Sequence, residues 1–276
     1  MRALFNGLKE TNMTIVGAVE SLWRYPVKSM AGEVIEEAFV GYAGVFGDRT
    51  CAFLNAGAPE GFPYLTARNK GQMLAFRPRF RDAALAARPL NQAAAEGMGP
   101  GLTPLYPAPL ERLAIDVETP SGDVLALDDP ALRARLATKT IEAEKLSLVR
   151  SDRALTDCRP LSIISLKTIA QLTDEIGTSL DPRRFRANIY ADLGNANGFA
   201  EDAFVGKRLR IGERAEIAVL DRDPRCKMIS LDPDTGEENS NVLRHVAKAH
   251  DTRCGVYCAV LTEGTVRRGD QIVLLD

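Results

Sequence analysis

Asp221-Arg-Asp-Pro-Arg-Cys226-Lys-Met-Ile-Ser-Leu-Asp-Pro-Asp-Thr-Gly236 holds one thiol between two cations, Arg225 and Lys227. Neighbouring positive charge favours the thiolate, the form that attacks electrophiles and ligates soft metals. Pro224 stiffens the approach to Cys226, and Asp232-Pro-Asp-Thr-Gly236 supplies turn chemistry just beyond it. Read locally, Cys226 is either a small residue packed between solvated charges or a thiol displayed on a turn-bounded loop.

Outward from the loop, residues 208–211 and 215–220 read as strands on one side, and 256–261 and 271–275 on the other. A helix near 241–249 carries the only two histidines, His245 and His250. Cys254 and Cys258 fall four apart, which strand alternation puts on one face, and burial is expected there. Further out, Ser165 N-caps a helix whose Leu166, Ile169, Ala170, Leu172 and Ile176 follow the 3.6-residue period, and Gly177 stops it. Residues 187–191 form another strand.

In the first half, strands at 14–25 and 34–40 bracket the loop Tyr25-Pro-Val-Lys28-Ser29, whose Lys and hydroxyl suit a phosphate or sulfate. Gly44-Val-Phe-Gly-Asp48-Arg49 runs into a strand at Cys51–Leu54, and Leu65-Thr-Ala-Arg68 precedes another expected at Met73–Phe76. Residues 88–110, rich in Pro, Gly and Ala around Gly97-Met-Gly-Pro-Gly101, read as a long loop. A hairpin spans 113–127 around Pro120-Ser-Gly-Asp123, and Asp129-Pro130 opens a short helix, Ala131–Ala137. Many short strands, few helices and no βαβ rhythm predict a mainly β fold, built as barrels with a few helices.

A chain of 276 residues is long enough for one large or two small domains, and its mixture of 45% apolar and 26% charged residues excludes wholesale disorder. A net charge of -2 gives no argument for a nucleic-acid partner, so any basic site must be local. No apolar run reaches the roughly 18–20 residues of a membrane span, and Met1–Met13 is too short and polar for a secretory signal, so the chain reads as cytoplasmic. Five cysteines without a Cys-x-x-Cys pair argue against structural zinc, a disulfide framework or a plant-type iron–sulfur cluster.

The motifs together resemble MOSC-domain proteins, in which an Arg-Cys before an Asp-Pro-Asp-Thr-Gly turn ligates molybdenum. Tyr25-Pro-Val-Lys-Ser29, Gly47-Asp-Arg49 and Leu65-Thr-Ala-Arg68 resemble the N-terminal β-barrel domain, placed at 13–125. Arg184-Phe-Arg-Ala-Asn188, the Cys226 loop, Gly255-Val-Tyr257 and Val266-Arg-Arg-Gly-Asp270 resemble the MOSC domain itself, placed at 150–276, with the boundary between 125 and 150. The resemblance is to the amidoxime-reducing and bacterial N-hydroxylated-substrate-reducing type. It implies a molybdenum cofactor (molybdenum on molybdopterin), with Cys226 as catalytic residue and metal ligand. Lys28, Ser29, Arg49, Arg68, Cys158, Arg159, Arg186, Asn188, Arg225 and Tyr257 would hold the pterin and its phosphate. Ala187 stands where relatives carry Pro.

The implied activity is reduction of a small N-hydroxylated or N-oxide substrate. The fused ferredoxin-like tail of some bacterial relatives is missing, so electrons would come from a separate protein, ferredoxin-like or cytochrome b5-like with its reductase. The alternative is a sulfur carrier using a Cys226 persulfide, as in MOSC domains fused to pyridoxal-phosphate sulfurases, although no Lys sits in a recognisable Schiff-base setting. A carrier of the molybdenum cofactor is a third reading.

Overall fold

A computed structural model describes residues 13–58, 61–97 and 113–275. The first half contains β1 (Thr14–Arg24), β2 (Glu33–Ile35), β3 (Glu37–Gly41), β4 (Gly44–Val45), β5 (Cys51–Asn55), β6 (Arg77–Phe80), β7 (Ile115–Glu118), β8 (Val124–Ala126) and β9 (Leu146–Arg150). Among them lie the short helices α1 (Ala83–Ala87), α2 (Gln92–Glu96) and α3 (Pro130–Leu136). The second half contains β10 (Leu161–Ser165), β11 (Ile189–Asp192), β12 (Arg208–Ile211), β13 (Ala215–Pro224), β14 (Arg253–Thr262), β15 (Gly264–Arg267) and β16 (Gln271–Leu274), with α4 (Leu166–Ile176) and α5 (Ser240–Ala249).

Seven strands close into a barrel in the order β11-β10-β14-β13-β12-β16-β1, sealed by pairing of β1 with β11, and β2 extends it beside β1. Closure removes the exposed edges that a sheet of this size would otherwise present. β10 and β11 are parallel, which requires a crossover, and α4 is part of it. Ser165 Oγ accepts from Lys167 N at 3.1 Å to start α4, and Gly177 (φ 70) ends it in the left-handed conformation. Leu22, Ile163, Ile189, Ile217, Val219, Val256 and Ile272 form the core of the sheet.

Two further cores meet the Cys226 loop. One, in the first half, is built from Phe53, Met73, Val117, Leu132 and Leu136; the other lies between the barrel and its helices, from Ile164, Leu172, Tyr190, Val242 and Val246. Past Cys226, the turn Lys227–Ser230 sends Ile229 into the helical core, and Leu231 enters the first-half core. Each such burial is worth about 1.5–3 kcal/mol, so the loop is held from both sides.

Backbone contact reinforces this. A Cβ on Gly71 would meet the Gly236 carbonyl oxygen at 2.3 Å, and Gly236 itself has φ 74. Only glycine permits both the approach and the torsion. Gly71→Ala is expected to lower stability by about 1–3 kcal/mol through overpacking; an unchanged denaturant midpoint would show that the two segments separate freely.

Three expectations change. Met73–Phe76 is not a strand: Gly71–Ala75 is a 3₁₀ turn, because adjacent Met73 and Leu74 are both buried where a half-exposed strand would bury only one. The strand comes later, as β6, with Pro78 and Phe80 buried in alternation. Within the expected 88–110 loop, residues 92–96 are helical, and 98–110 lie outside the described residues. Cys254 and Cys258 are both buried but do not share a face: Cys254 packs in the helical core and Cys258 in the barrel core. Gly255, at φ 72, sits where the β13–β14 register shifts between Arg222 and Pro224, and this bulge reverses the alternation.

Candidate functional site

The Cys226 loop, the approach to β11, β14 and the Tyr25–Ser29 loop converge on a cleft of about 340 Å³. The structure brings every residue singled out from the sequence to its lining: Lys28, Ser29, Arg49 and Arg68 from the first half, and Cys158, Arg159, Arg186, Asn188, Arg225, Cys226 and Tyr257 from the second. Three of them, Ser29 (φ 65), Arg49 (φ 47) and Arg186 (φ 53), adopt the left-handed backbone that non-glycine residues rarely occupy. Such strain persists only where surrounding contacts enforce it, and it gathers at functional sites.

Those contacts are identifiable. Asp48, buried, accepts from Tyr25 N at 2.8 Å and from Arg49 Nη1 at 2.5 Å. Arg49 Nη2 donates to Arg186 O at 2.9 Å, and both guanidinium groups lie over the Tyr25 ring, 4.6 and 4.2 Å from its centre. Arg186 Nη1 donates to Met30 O at 2.8 Å. Arg186 of the second half is therefore locked to the first half through both its carbonyl and its side chain. Asn188 is engaged internally, its Oδ1 accepting from Ser162 N at 3.3 Å and its Nδ2 donating to Trp23 O at 3.4 Å. It positions the wall, tying β1 and β10 together at the start of β11.

The Arg225 side chain makes three polar contacts at the cleft wall. Its Nε donates to Cys254 O at 2.7 Å, and its Nη1 donates to Phe185 O at 2.8 Å and pairs with Asp223 at 2.8 Å. Gly255 permits this, since a Cβ there would stand 2.9 Å from Arg225 Nη2. Lys227 pairs with Glu238 at 2.8 Å. The two cations flanking Cys226 in sequence are thus neutralised by carboxylates in the fold, which corrects the electrostatic argument drawn from adjacency alone. Cys226 is half-buried, and among the described residues no hydrogen bond engages its thiol.

Sequence reading missed Asp157, and it considered Asp223 only as a possible proton relay beside Tyr257. Asp157 holds Lys28, in a short ion pair, and Arg68, at 3.4 Å. Burial pulls the Lys28 ammonium below its ordinary value, with Asp157 opposing. Burial pushes the Asp223 carboxyl up to about 6 against the pull of Arg225 and a hydrogen bond from Tyr257. Tyr257 is raised as well, by burial and then by Asp223. Arg184, quoted only as part of a motif, reaches Ser230 O at 3.1 Å and Asp232 at 3.0 Å, so it clamps the turn beyond Cys226. Asp157 and Arg184 are marked only by partners distant in sequence, whereas Asp223 lies two residues from Arg225 and is marked by its burial.

Among the described residues, seven cationic side chains (Lys28, Arg49, Arg68, Arg159, Arg184, Arg186 and Arg225) line the cleft against two carboxylates, Asp157 and Asp223. Burial pulls the Arg186 guanidinium down to about 10, with Tyr25 opposing and the Arg49 charge adding to the effect. Among the described residues, Arg184 Nε, Arg186 Nη2 and Arg225 Nη2 of the cleft-lining arginines are buried without a hydrogen-bond partner. Unsatisfied guanidinium donors in a positively charged cleft fit an anionic ligand with several acceptor oxygens. Protonating Asp223 removes a competing negative charge 2.8 Å from Arg225. Sulfate, a dianion throughout this range, is therefore expected to bind roughly tenfold tighter at about pH 5 than at about pH 7.5, by calorimetry. The dependence should vanish in Asp223→Asn; a pH-independent wild type would remove Asp223 from anion binding.

Comparison with known proteins matches residues 150–273 to the MOSC domain and residues 16–99 to the MOSC N-terminal beta barrel domain. Mitochondrial amidoxime reducing component 2 of Macaca fascicularis is 25% identical over 293 residues, covering 93% of this chain and 83% of that protein. Its namesake in Bos taurus is 25% identical over 240 residues, covering 80% and 68% respectively. The crystal structure of the YUAD protein from Bacillus subtilis aligns over 95% of this chain and 97% of that one, at 13% identity and a TM-score of 0.46.

Proposed function

Because this chain belongs to the MOSC-domain proteins and carries their N-terminal beta barrel domain, we propose that its cleft holds the molybdenum cofactor and that the protein is a reductase of small N-hydroxylated or N-oxide substrates. The observation that carries the reading is the set of buried nitrogens without a partner among the described residues, Arg184 Nε, Arg186 Nη2 and Arg225 Nη2, in residues lining the same cleft as the Cys226 thiol. A pterin phosphate supplies acceptors for such donors, and a soft metal supplies a partner for the thiol. The matched relatives are named for amidoxime reduction, which motivates the substrate class.

In this reading Cys226 ligates the metal, while Arg49, Arg186 and Arg225 hold the anionic end of the pterin from fixed positions. Ser29 and Lys28 contribute from the first half, Lys28 once Asp157 shares its charge. When bound, the molybdenum would supply a centre that accepts an oxygen atom and exchanges two electrons. Tyr257 and Asp223, which both line the cleft, can hold a proton near neutral pH, because burial raises Asp223 to about 6. Electrons would come from a separate donor protein. Among the described residues no helix is long and apolar enough to cross a membrane. The persulfide reading loses its electrostatic argument, since the charges beside Cys226 are committed to Asp223 and Glu238.

Metal and pterin analysis of protein made in a host that synthesises the cofactor tests this directly. About one molybdenum and one pterin per chain are expected, with reduction of a benzamidoxime-type substrate by an artificial donor. Protein that carries neither under those conditions would overturn the proposal.

A further inference from the structure

Outside the cleft, α4 and α5 bring together Glu175, His245 and His250, and none of the three lines it. Glu175 lies near the C-terminal end of α4, His245 within α5, and His250 caps the C-terminus of α5. One carboxylate oxygen, Glu175 Oε2, is 2.8 Å from His245 Nε2 and 2.7 Å from His250 Nε2, so three potential donor atoms face one point.

We propose that Glu175, His245 and His250 form a binding site for a divalent transition metal of the zinc class, which staples α4 to α5. Two imidazoles and a carboxylate are a donor set that suits Zn²⁺, and Co²⁺ as its spectroscopic substitute, whereas Mg²⁺ and Ca²⁺ favour oxygen-only shells. In a tetrahedral site with bonds of about 2.0–2.1 Å, ligand atoms stand about 3.3 Å apart, so the cluster must open by roughly half an ångström. The three side chains are 27%, 29% and 15% exposed, leaving room for that adjustment and for water at the remaining coordination position. Binding requires both Nε2 atoms to present lone pairs, with each imidazole proton on Nδ1.

The surroundings orient the donors. Gln171 Nε2 donates to Glu175 Oε1 at 2.7 Å, which directs Oε2 toward the histidines. Phe199 stacks on the His250 ring at 4.0 Å with 17° between planes. The His250 backbone is held by His250 N to Val246 O at 3.0 Å, Arg253 N to His250 O at 2.9 Å and Arg222 Nη2 to His250 O at 3.2 Å. Partners of this kind fix ligand geometry in metal sites. The staple would reach the Cys226 loop through α5 and the residue before it: Leu243 N donates to Ser230 Oγ at 3.3 Å and Asn239 N to Ser230 O at 2.8 Å.

The experiment is titration of the chelator-washed protein with Zn²⁺ by calorimetry and with Co²⁺ by absorption, alongside Cys226→Ala, His245→Ala and His250→Gln. One Zn²⁺ per chain is expected at micromolar affinity, unchanged in Cys226→Ala and weakened at least tenfold or so in each histidine variant. Co²⁺ should give visible ligand-field bands without the near-ultraviolet charge-transfer band of a thiolate. The spectrum of the wild-type protein stands even if a histidine variant folds poorly. Absence of stoichiometric binding, a thiolate band, or loss of binding in Cys226→Ala with retention in the histidine variants would each overturn the site.

Discussion

Cys226→Ala should leave a folded protein that no longer retains molybdenum, with turnover of an N-hydroxylated substrate reduced by more than about a hundredfold. The side chain is half-buried and its thiol engages no hydrogen bond among the described residues, so stability should change by less than about 1 kcal/mol. The loop around it stays pinned by Ile229 and Leu231 in two different cores, and by Arg184 on Ser230 and Asp232. A loss of metal without loss of fold therefore isolates ligation from structure. Cys158→Ala provides the comparison, since Cys158 also lines the cleft but is exposed. Molybdenum bound stoichiometrically by Cys226→Ala, with turnover intact, would remove Cys226 from the coordination sphere.

Arg225→Ala should have the larger effect on stability, a loss of about 3–5 kcal/mol at neutral pH, because it strands a buried carboxylate. It removes the Asp223 pair and the donations to Cys254 O and Phe185 O together. The pH dependence distinguishes this cause from simple loss of packing. Asp223 titrates at about 6 in the folded protein against an ordinary 3.8, so its contribution to stability is fully present below about 3.8 and is lost as pH rises through about 6. Without Arg225 the folded carboxyl moves further up and protonates nearer neutrality, so the deficit measured at about pH 7.5 should shrink at about pH 5. Denaturant unfolding at the two pH values checks this, and Arg225→Met combined with Asp223→Leu should recover much of the loss. A pH-independent deficit would show that Asp223 is not the stranded charge.

The acid–base partners explain why site membership was easier to read than site electrostatics. Arg186, Arg225, Lys28 and Tyr257 sit in motifs that can be read locally, and the fold delivers all of them to one cleft. Asp157 lies far in sequence from Lys28 and Arg68, and Glu175 lies far from His245 and His250. No window of the sequence contains such a pair, so no local pattern reveals it. A second error comes from side-chain direction: Arg225 and Lys227 adjoin Cys226 in the chain, yet in the fold their charges turn to Asp223 and Glu238.

Chain chemistry alone determined the mainly β character, the α4 cap and stop at Ser165 and Gly177, and the turn that displays Cys226, because propensity, capping and turn formation act over a few residues. Tertiary structure alone decided that β1, the first strand described, closes a barrel made otherwise of strands from residues 161–274. It also set the face of Cys254 through the bulge at Gly255, the approach of Gly71 to Gly236, and the charge each arginine answers. Strand partners, backbone approaches and ion pairs depend on which distant segments are brought within a few ångströms, a property of the closed barrel and its packing rather than of any short stretch of the chain.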